Sequence, residues 1–276
     1  MRISQCQVFL PVASSFLQNE SANVRCSERL CVSLSLGSLA KKHIASMRIA
    51  IIGEYSPQFE PHQKTNDALR HSATALDSDI ESDWISTSAL SEQIKASYSA
   101  FWIAPGSPYH DMPSTLDLIR FCRTESIPCF GTCGGFQHMV IEYARNCLGI
   151  ADADHAEYDP YASRLIVSRL ACSLVGREMQ ITLAPGSKTA QIYQKEKALE
   201  QYYCNFGVNP TFTQALSGGI FRPVGSDAEG EIRVMEISEH PFFIGTLYVP
   251  QARSTPDQPH PLVTAFIDAA QRSKNG

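Results

Sequence analysis

One short stretch, Gly131-Thr132-Cys133-Gly134-Gly135, constrains the fold more than any other part of the chain. An apolar run ends just before it, and a long amphipathic run begins just after it. This order predicts a strand, a tight turn and a helix, with a cysteine at the apex of the turn. Glycine on both sides permits a strained, closely packed backbone that a Cβ atom would block. The N-terminus of the helix favours the thiolate form of the sulfur, which is typical of a nucleophile. The alternative interpretation is a buried structural cysteine after a glycine-rich turn.

The first half of the chain, from Met47, alternates short apolar runs with amphipathic runs. The predicted strands are 48–52, 81–86, 100–104 and 127–131, and the predicted helices are 61–76, 89–95, 113–123 and 135–148. Strands that alternate with helices of this length predict an α/β fold with a doubly wound, mostly parallel sheet.

The second half, after Asp159, has shorter apolar runs separated by glycine- and proline-rich segments. The predicted strands here are 164–170, 179–183, 220–223, 231–237 and 243–249, and a final helix is predicted at 261–272. We expect an antiparallel excursion whose last strands rejoin the main sheet. Ligands of such sheets bind outside the carboxyl ends of the strands. The turns Pro105-Gly106-Ser107 and Gly131-Thr132-Cys133 should therefore face one another across a single pocket.

Composition excludes several classes of function. The net charge of −5 argues against nucleic acid as a partner, because that would require a basic face. No apolar run reaches the roughly 18 residues of a membrane span, so we expect no membrane partner. The nine cysteines show neither a CxxC pair nor Cys/His ligand spacing, so we predict no metal site, no cofactor and no disulfide framework. Reduced thiols favour the cytoplasm.

Residues 1–46 differ from the rest of the chain. They are rich in Ser, Cys, Val and Leu and poor in acidic residues, which keeps a targeting peptide open as an alternative. Met47 is followed directly by the first predicted strand and has the pattern of a protein start. We therefore expect residues 1–46 to be an unfolded extension or a start-site artefact, and residues 47–276 to be one domain.

The chain from Met47 to about residue 270 resembles the class I glutamine amidotransferase domain at the C-terminal end of CTP synthases. The matching stretches are 49–55, the turn 131–137, the helix 140–146, the segment 155–158, and the closing segments 239–243 and 259–262. The resemblance implies the fold of that family and Cys133 as the nucleophile. It implies an oxyanion hole formed by the N–H of Gly134 and that of Gly106 or Ser107. The substrate contacts that it implies are Gln137, Glu157, Asn205 and Phe206.

The chain departs from that family in the residues that assist the cysteine. The family completes a catalytic triad with a His-Pro-Glu motif, and the corresponding residues here are Val249-Pro250-Gln251. Neither Val249 nor Gln251 can accept a proton, and general-base assistance contributes roughly 10²–10⁴-fold in rate. Asn205 stands where the family has an arginine, and Ser107 where it has the second glycine of the oxyanion turn. Efficient glutamine hydrolysis is therefore not expected.

Three functional hypotheses follow. In the first, the chain is a divergent Cys133-dependent hydrolase or transferase that acts on a small amide, ester or thioester. Its base would be His155 or His110, with Glu157 as orienter or substrate contact, whereas His138 is expected to be structural or exposed. In the second, it is a non-catalytic relative that binds a ligand or a partner. The losses at Asn205, Val249 and Gln251 favour this view, and the retained glycine-rich turn around Cys133 argues against it.

The third hypothesis is redox chemistry or covalent trapping by the thiol. A thiolate at a helix N-terminus is nucleophilic without a histidine. Cys204 lies on a segment that contributes to the same pocket in the family, so a Cys133–Cys204 pair is conceivable. Cys129, on the preceding strand, is expected to point into the core.

The resemblance also indicates partners. The expected small-molecule substrate is glutamine or another amide-like compound. A homodimer or a partner synthase chain is a further expectation, since a second chain is a remaining source of the missing base. The sequence contains no G-x-x-x-x-G-K-[ST] phosphate loop, so we do not expect the chain to make CTP by itself.

Overall fold

The computed structural model describes residues 47–275, and the prediction made for residues 1–46 lies outside them. The first half alternates strands and helices as predicted. Its elements are β1 (Met47–Ile52), α1 (Glu60–Ala75), β2 (Ile80–Ile85), α2 (Glu92–Ser97), β3 (Ala100–Ile103), α3 (Met112–Thr124), β4 (Cys129–Thr132) and α4 (Gly134–Cys147). The largest difference is at α2, which begins at Glu92 rather than residue 89, because Thr87–Ala89 forms a separate short 3₁₀ turn.

The second half contains more elements than the sequence pattern predicts. They are β5 (Ala153–His155), β6 (Arg164–Arg169), β7 (Arg177–Leu183), α5 (Lys188–Tyr193), β8 (Lys197–Tyr202), β9 (Phe206–Val208), α6 (Thr213–Ser217), β10 (Phe221–Ser226), β11 (Ile232–Ile237), β12 (Phe243–Thr246) and α7 (Pro261–Asn275). The pattern missed β5, α5, β8, β9 and α6. Strand β8 was not predicted because its buried face carries Glu200, a charged residue that interrupts the apolar alternation.

Nine strands form the main sheet, in the order β2-β1-β3-β4-β12-β11-β10-β7-β8. Strands β2, β1, β3, β4 and β12 are parallel, and β11, β10, β7 and β8 continue the sheet with antiparallel pairs. The predicted antiparallel excursion, with a last strand that rejoins the parallel part, is confirmed. Strand β6 was assigned to the same excursion but instead pairs with β5 and β9 in a separate three-stranded sheet.

The centre of the main sheet is fully buried, and this is what positions β4. Every residue of β3, β4 and β12 is buried. Trp102, Phe130, Phe242 and Phe266 form a cluster of ring contacts with centroids 4.9–5.9 Å apart. A fully buried side chain of this kind stabilises the fold by roughly 1.5–3 kcal/mol. The carboxyl ends of β3, β4 and β12 are therefore held side by side at one edge of a rigid sheet.

The first turn of α4 packs directly on the backbone at the end of β3. A Cβ atom added at Gly135 would lie 2.7 Å from the carbonyl carbon of Ile103, so no larger residue fits without moving backbone. Among residues 47–275, no helix is long and apolar enough to cross a membrane.

We predict that Gly135→Ala lowers the free energy of unfolding by about 3 kcal/mol, because the added methyl group meets backbone that cannot rotate away. Urea denaturation of the full chain measures this change. Gly218→Ala is the matched control, since a Cβ atom at this exposed position meets nothing within 4 Å, and it should alter the free energy by less than about 0.5 kcal/mol. Equal effects of the two substitutions would contradict the packing constraint.

Candidate active site

Cys133 occupies a strained turn between β4 and α4. Its backbone angles are φ 51° and ψ −108°, a region that a residue with a Cβ rarely adopts and that costs about 1–3 kcal/mol. Two hydrogen bonds hold this conformation: the N–H of Cys133 donates to the Thr246 carbonyl (2.8 Å), and the N–H of Gln137 donates to the Cys133 carbonyl (3.2 Å). The cysteine therefore stands at the carboxyl edge of the sheet, directly before the N-terminus of α4, and retains 6% exposure.

The two turns predicted to face one another are in direct contact. A Cβ atom at Gly134 would lie 2.8 Å from the carbonyl oxygen of Gly106, which itself has a φ of +99°. No hydrogen bond to another described residue occupies the N–H of Gly134, Gly106 or Ser107. Unpaired N–H groups beside a helix N-terminus stabilise negative charge on oxygen. The arrangement has the parts of an oxyanion hole.

A histidine fixes the position of this oxyanion turn. The N–H of Ser56 donates to Nδ1 of His62 (3.0 Å), so Nε2 carries the proton and donates to the Pro105 carbonyl (2.8 Å). Burial lowers the pKa of His62, which keeps the ring neutral in this role. Beside the turn lies a cavity of about 270 Å³, lined in part by Glu54, Phe59 and His62. Sequence reasoning missed His62, because one histidine inside a predicted helix gives no signal.

Val249 and Gln251, which are predicted to replace the family's base and orienter, are both buried. Val249 is fully buried, and its N–H donates to the Gln201 carbonyl (2.8 Å). The side-chain amide of Gln251 donates to Oγ1 of Thr65 (3.1 Å), and its Oε1 has no hydrogen-bond partner among the described residues. Neither side chain can take a proton from Cys133.

His155 is buried in the structure, and both of its ring nitrogens are occupied. Its Nδ1 accepts the N–H of Glu157 (3.0 Å), so Nε2–H donates to Oε1 of Gln137 (2.9 Å). Burial, with a smaller contribution from the nearby His138, lowers the pKa of His155 to about 3. No lone pair is left for a substrate proton. The hypothesis that His155 acts as the base is contradicted by this arrangement.

The other two candidate histidines are also unavailable to the sulfur. Nδ1–H of His138 donates to the Gly134 carbonyl (2.7 Å), and Nε2 accepts the hydroxyl of Tyr158 (2.9 Å). Burial lowers the pKa of His138 to about 4, so the structural role predicted for it is confirmed. The His110 side chain is 68% exposed and lies 3.4 Å from Glu54. Among the described residues, no histidine forms a hydrogen bond with the Cys133 sulfur.

The group that does contact the Cys133 sulfur is a second thiol. Sγ of Cys204 lies 2.6 Å from Sγ of Cys133, and the Tyr203 carbonyl lies 3.8 Å from it. Cys204 is 2% exposed and donates its S–H to the Leu247 carbonyl (2.9 Å), and burial raises its pKa well above the usual value. Cys129 is completely buried in the core, as predicted.

The predicted substrate contacts are tied to α4 by a polar network. The side-chain amide of Gln137 donates to the Phe206 carbonyl (2.8 Å), and its oxygen accepts from His155, which in turn binds the N–H of Glu157. Oε2 of Glu157 is buried without a partner among the described residues. The Asn205 side chain is exposed beside Cys204. The network thus connects three of the four predicted contacts and leaves one buried carboxylate oxygen without a partner among the described residues.

Comparison with known proteins agrees with this architecture. A family model described as glutamine amidotransferase class-I matches residues 61–269. The CTP synthase of Thermomicrobium roseum is 30% identical over 238 residues, which cover 82% of this chain and 43% of that protein. The CTP synthase of Encephalitozoon cuniculi is 29% identical over 245 residues, covering 86% and 46%. The chain therefore spans less than half the length of the curated relatives it matches.

Two solved structures show the same fold. The glutaminase domain of Trypanosoma brucei CTP synthase, with bound acivicin, superposes with a TM-score of 0.75 at 21% identity and covers 82% of this chain and 94% of that chain. A glutamine amidotransferase from Thermotoga maritima superposes with a TM-score of 0.51 at 10% identity and covers 83% and 99%. At these identities the likeness shows the fold alone.

We predict that the protein loses stability as the pH falls from about 6.5, the ordinary histidine pKa, towards 4. In this pH range His138 and His155 bind a proton in the unfolded chain but stay neutral in the folded protein. The free energy of unfolding therefore falls by up to about 1.4 kcal/mol per pH unit for each of the two histidines. Urea denaturation at about pH 7 and about pH 5 measures the loss.

The matched variants for this prediction are His138→Gln and His110→Gln. The first removes one buried group, so the difference in unfolding free energy between the two pH values should shrink. The second changes a mostly exposed ring and should leave that difference as in the wild type. A difference that is the same in all three proteins would show that the buried histidines do not cause the acid sensitivity.

Proposed function

The chain belongs to the class I glutamine amidotransferase family and is related to the glutaminase domain of CTP synthases, and we propose that it is a divergent Cys133-dependent acyl-transfer enzyme. Its substrate would be a small compound with an amide-like carbonyl group. The observation that supports this proposal most directly is the strained Cys133, held beside the unpaired N–H groups of Gly134, Gly106 and Ser107. Backbone strain of this kind costs free energy and is found mainly at functional sites, where the surrounding structure maintains it. A protein that only bound a ligand would not need a strained cysteine.

The proposed reaction begins when the Cys133 thiol releases its proton to water and its sulfur attacks the substrate carbonyl carbon. The carbonyl oxygen becomes an oxyanion and accepts hydrogen bonds from the N–H groups of Gly134 and of Gly106 or Ser107. Collapse of the tetrahedral intermediate expels the leaving group and forms a thioester on Cys133. Water or another acceptor then takes the acyl group and restores the thiol.

The absence of a histidine partner for Cys133 among the described residues determines which leaving groups suit this site. An amide nitrogen must be protonated as it departs, and no described side chain is placed to supply the proton. A thiolate or an activated alkoxide departs without a proton. Since general acid–base assistance contributes roughly 10²–10⁴-fold, thioesters and activated esters should react far faster than amides such as glutamine.

The charges around the site indicate what else the substrate carries. Oε2 of Glu157, buried and unpartnered, would bind a cationic amine, and a hydrogen bond of this charged kind contributes about 1.5–3 kcal/mol. Asn205 is neutral where the family has an arginine for the substrate carboxylate. A small amine-bearing acyl compound without a free carboxylate therefore fits better than glutamine.

The assembly of the protein and its cellular compartment are also part of the proposed function. Because the sequence contains no G-x-x-x-x-G-K-[ST] phosphate loop, we propose that these residues do not form CTP by themselves, and that a homodimer or a partner synthase chain supplies the missing base. The free cysteines of the described residues support a reducing compartment such as the cytoplasm.

We predict that a small aminoacyl thioester is hydrolysed with a kcat/KM at least about 10²-fold above that for L-glutamine, because only the thioester has a leaving group that needs no proton. Release of thiol and of ammonia by the purified full chain measures the two rates. Cys133→Ser should abolish the thioester reaction, and Cys147→Ser, which changes an exposed cysteine, should leave it unchanged.

Glutamine turnover equal to thioester turnover would reveal a base that the structure does not show. No Cys133-dependent turnover of either substrate would favour the non-catalytic binding role.

We also predict that Glu157→Gln raises the KM for the amine-bearing thioester by about 10–100-fold, the loss expected for one charge-assisted hydrogen bond. The KM for the matching thioester without the amine should change little, because that substrate offers no cation to Glu157. Steady-state kinetics of both substrates with both proteins tests this. An equal rise for the two substrates would mean that the substitution disturbs the site as a whole.

A further inference from the structure

We propose that Cys133 and Cys204 form a dithiol–disulfide redox centre that reduces small hydroperoxides by two electrons, with Cys133 as the attacking thiol and Cys204 as the resolving thiol. This activity is separate from acyl transfer, because it needs neither an oxyanion hole nor a base.

The geometry of the pair supports this inference. The two sulfurs lie 2.6 Å apart, about half an ångström more than the S–S bond of about 2.05 Å. Cys133 is fixed by the hydrogen bonds of its turn, and Cys204 is fixed by its bond to the Leu247 carbonyl. Formation of the bond therefore requires only a small movement of two side chains whose backbones are already in place.

The backbone around Cys204 explains why it is held there. The N–H of Val249 donates to the Gln201 carbonyl, and the Leu247 carbonyl accepts from Cys204, so the segment after β12 runs alongside the end of β8. Cys204 thus approaches Cys133 from a segment 71 residues away in sequence. The Cys133 sulfur is thus in contact with a thiol, and no histidine among the described residues contacts it.

The environments of the two sulfurs assign their roles. Cys133 stands directly before the N-terminus of α4, and it retains slightly more exposure than Cys204. Burial and the neighbouring Cys133 raise the pKa of Cys204, so it remains a thiol until the first step changes its partner. Cys133 is therefore the group that meets the oxidant.

In the proposed peroxide reduction, every bond formed is matched by a bond broken, and the electrons balance. The Cys133 sulfur attacks the distal oxygen of a hydroperoxide, the O–O bond breaks, and the departing alkoxide takes the thiol proton to leave as an alcohol. Cys133 is now a sulfenic acid. The Cys204 sulfur attacks the Cys133 sulfur, the S–O bond breaks, and hydroxide leaves with the Cys204 proton as water. The two sulfurs lose two electrons, the two peroxide oxygens gain them, and an added dithiol restores the starting state.

The chain contains a second pair of neighbouring buried cysteines, which serves as an internal control. Cys122 and Cys129 are both completely buried, and burial together with the neighbouring Cys129 raises the pKa of Cys122. They are neighbours as Cys133 and Cys204 are, but they have no exposure to an oxidant. If proximity alone caused disulfide formation, both pairs would oxidise.

The test treats the reduced full chain with one equivalent of hydrogen peroxide, blocks the remaining thiols with iodoacetamide and maps the peptides by mass spectrometry. We expect a Cys133–Cys204 disulfide that dithiothreitol reverses, with Cys122 and Cys129 alkylated after denaturation. The sulfinic acid needs a second equivalent of peroxide, so a parallel sample of each protein receives an excess; Cys133 of Cys204→Ser should then reach the sulfinic acid about tenfold or more faster than in the wild type, since nothing intercepts the sulfenic acid. Cys133→Ser should form no disulfide at this site.

The proposal is overturned if wild-type Cys133 is recovered as a free thiol or reaches the sulfinic acid as fast as in Cys204→Ser. It is also overturned if the Cys122–Cys129 pair oxidises at the same rate as the Cys133–Cys204 pair. The wild-type result alone decides the question if a variant fails to fold. Because the readout is the state of the sulfurs, it does not depend on acyl-transfer activity, and either proposal can fail without the other.

Discussion

The structure of the site depends on one close contact between backbones, where the first turn of α4 meets the end of β3. Gly135 packs on Ile103 and Gly134 packs on Gly106 so tightly that a Cβ atom at either glycine would clash. This contact leaves the chain between β4 and α4 no room for an ordinary turn. Cys133 is consequently held at positive φ, with its sulfur at the carboxyl edge of the sheet and unpaired N–H groups nearby. The position of the Cys133 sulfur and that of the turn at Gly106 are products of the same packing.

The backbone provides most of the features of the site. These are the strained turn at Cys133, the N-terminus of α4 and the N–H groups of the turn at Gly106, which the His62 side chain holds in place. Val249 and Gln251, the residues predicted to stand in the place of the family's base and orienter, are buried and cannot act as bases. In the proposed reaction, such a site stabilises negative charge on the substrate oxygen but does not protonate a leaving group. Reactions in which the departing atom needs no proton are those that this arrangement suits.

The fold could be predicted from sequence where each element buries its own apolar face. Strands β1, β3 and β4 are continuous apolar runs, and the pattern located them to within two residues. Strand β8 was missed because Glu200 faces the interior, where it accepts a hydrogen bond from Tyr193 and lies 3.2 Å from His260. A buried carboxylate is stable only when distant segments supply its partners. No local pattern contains that information, and the same reason accounts for the short elements missed in the second half.

The sequence by itself determined the strand–turn–helix around Cys133 and the alternation that builds the parallel sheet, because both depend on residues that are neighbours in the chain. Only the tertiary structure decided what lies next to the sulfur. His155, which resembled a free loop histidine in sequence, is locked by Gln137 and the Glu157 backbone, whereas Cys204 is brought to 2.6 Å from Cys133 across 71 residues. Hydrogen bonds and thiol contacts act over a few ångströms, so they depend on which distant segments the sheet places side by side.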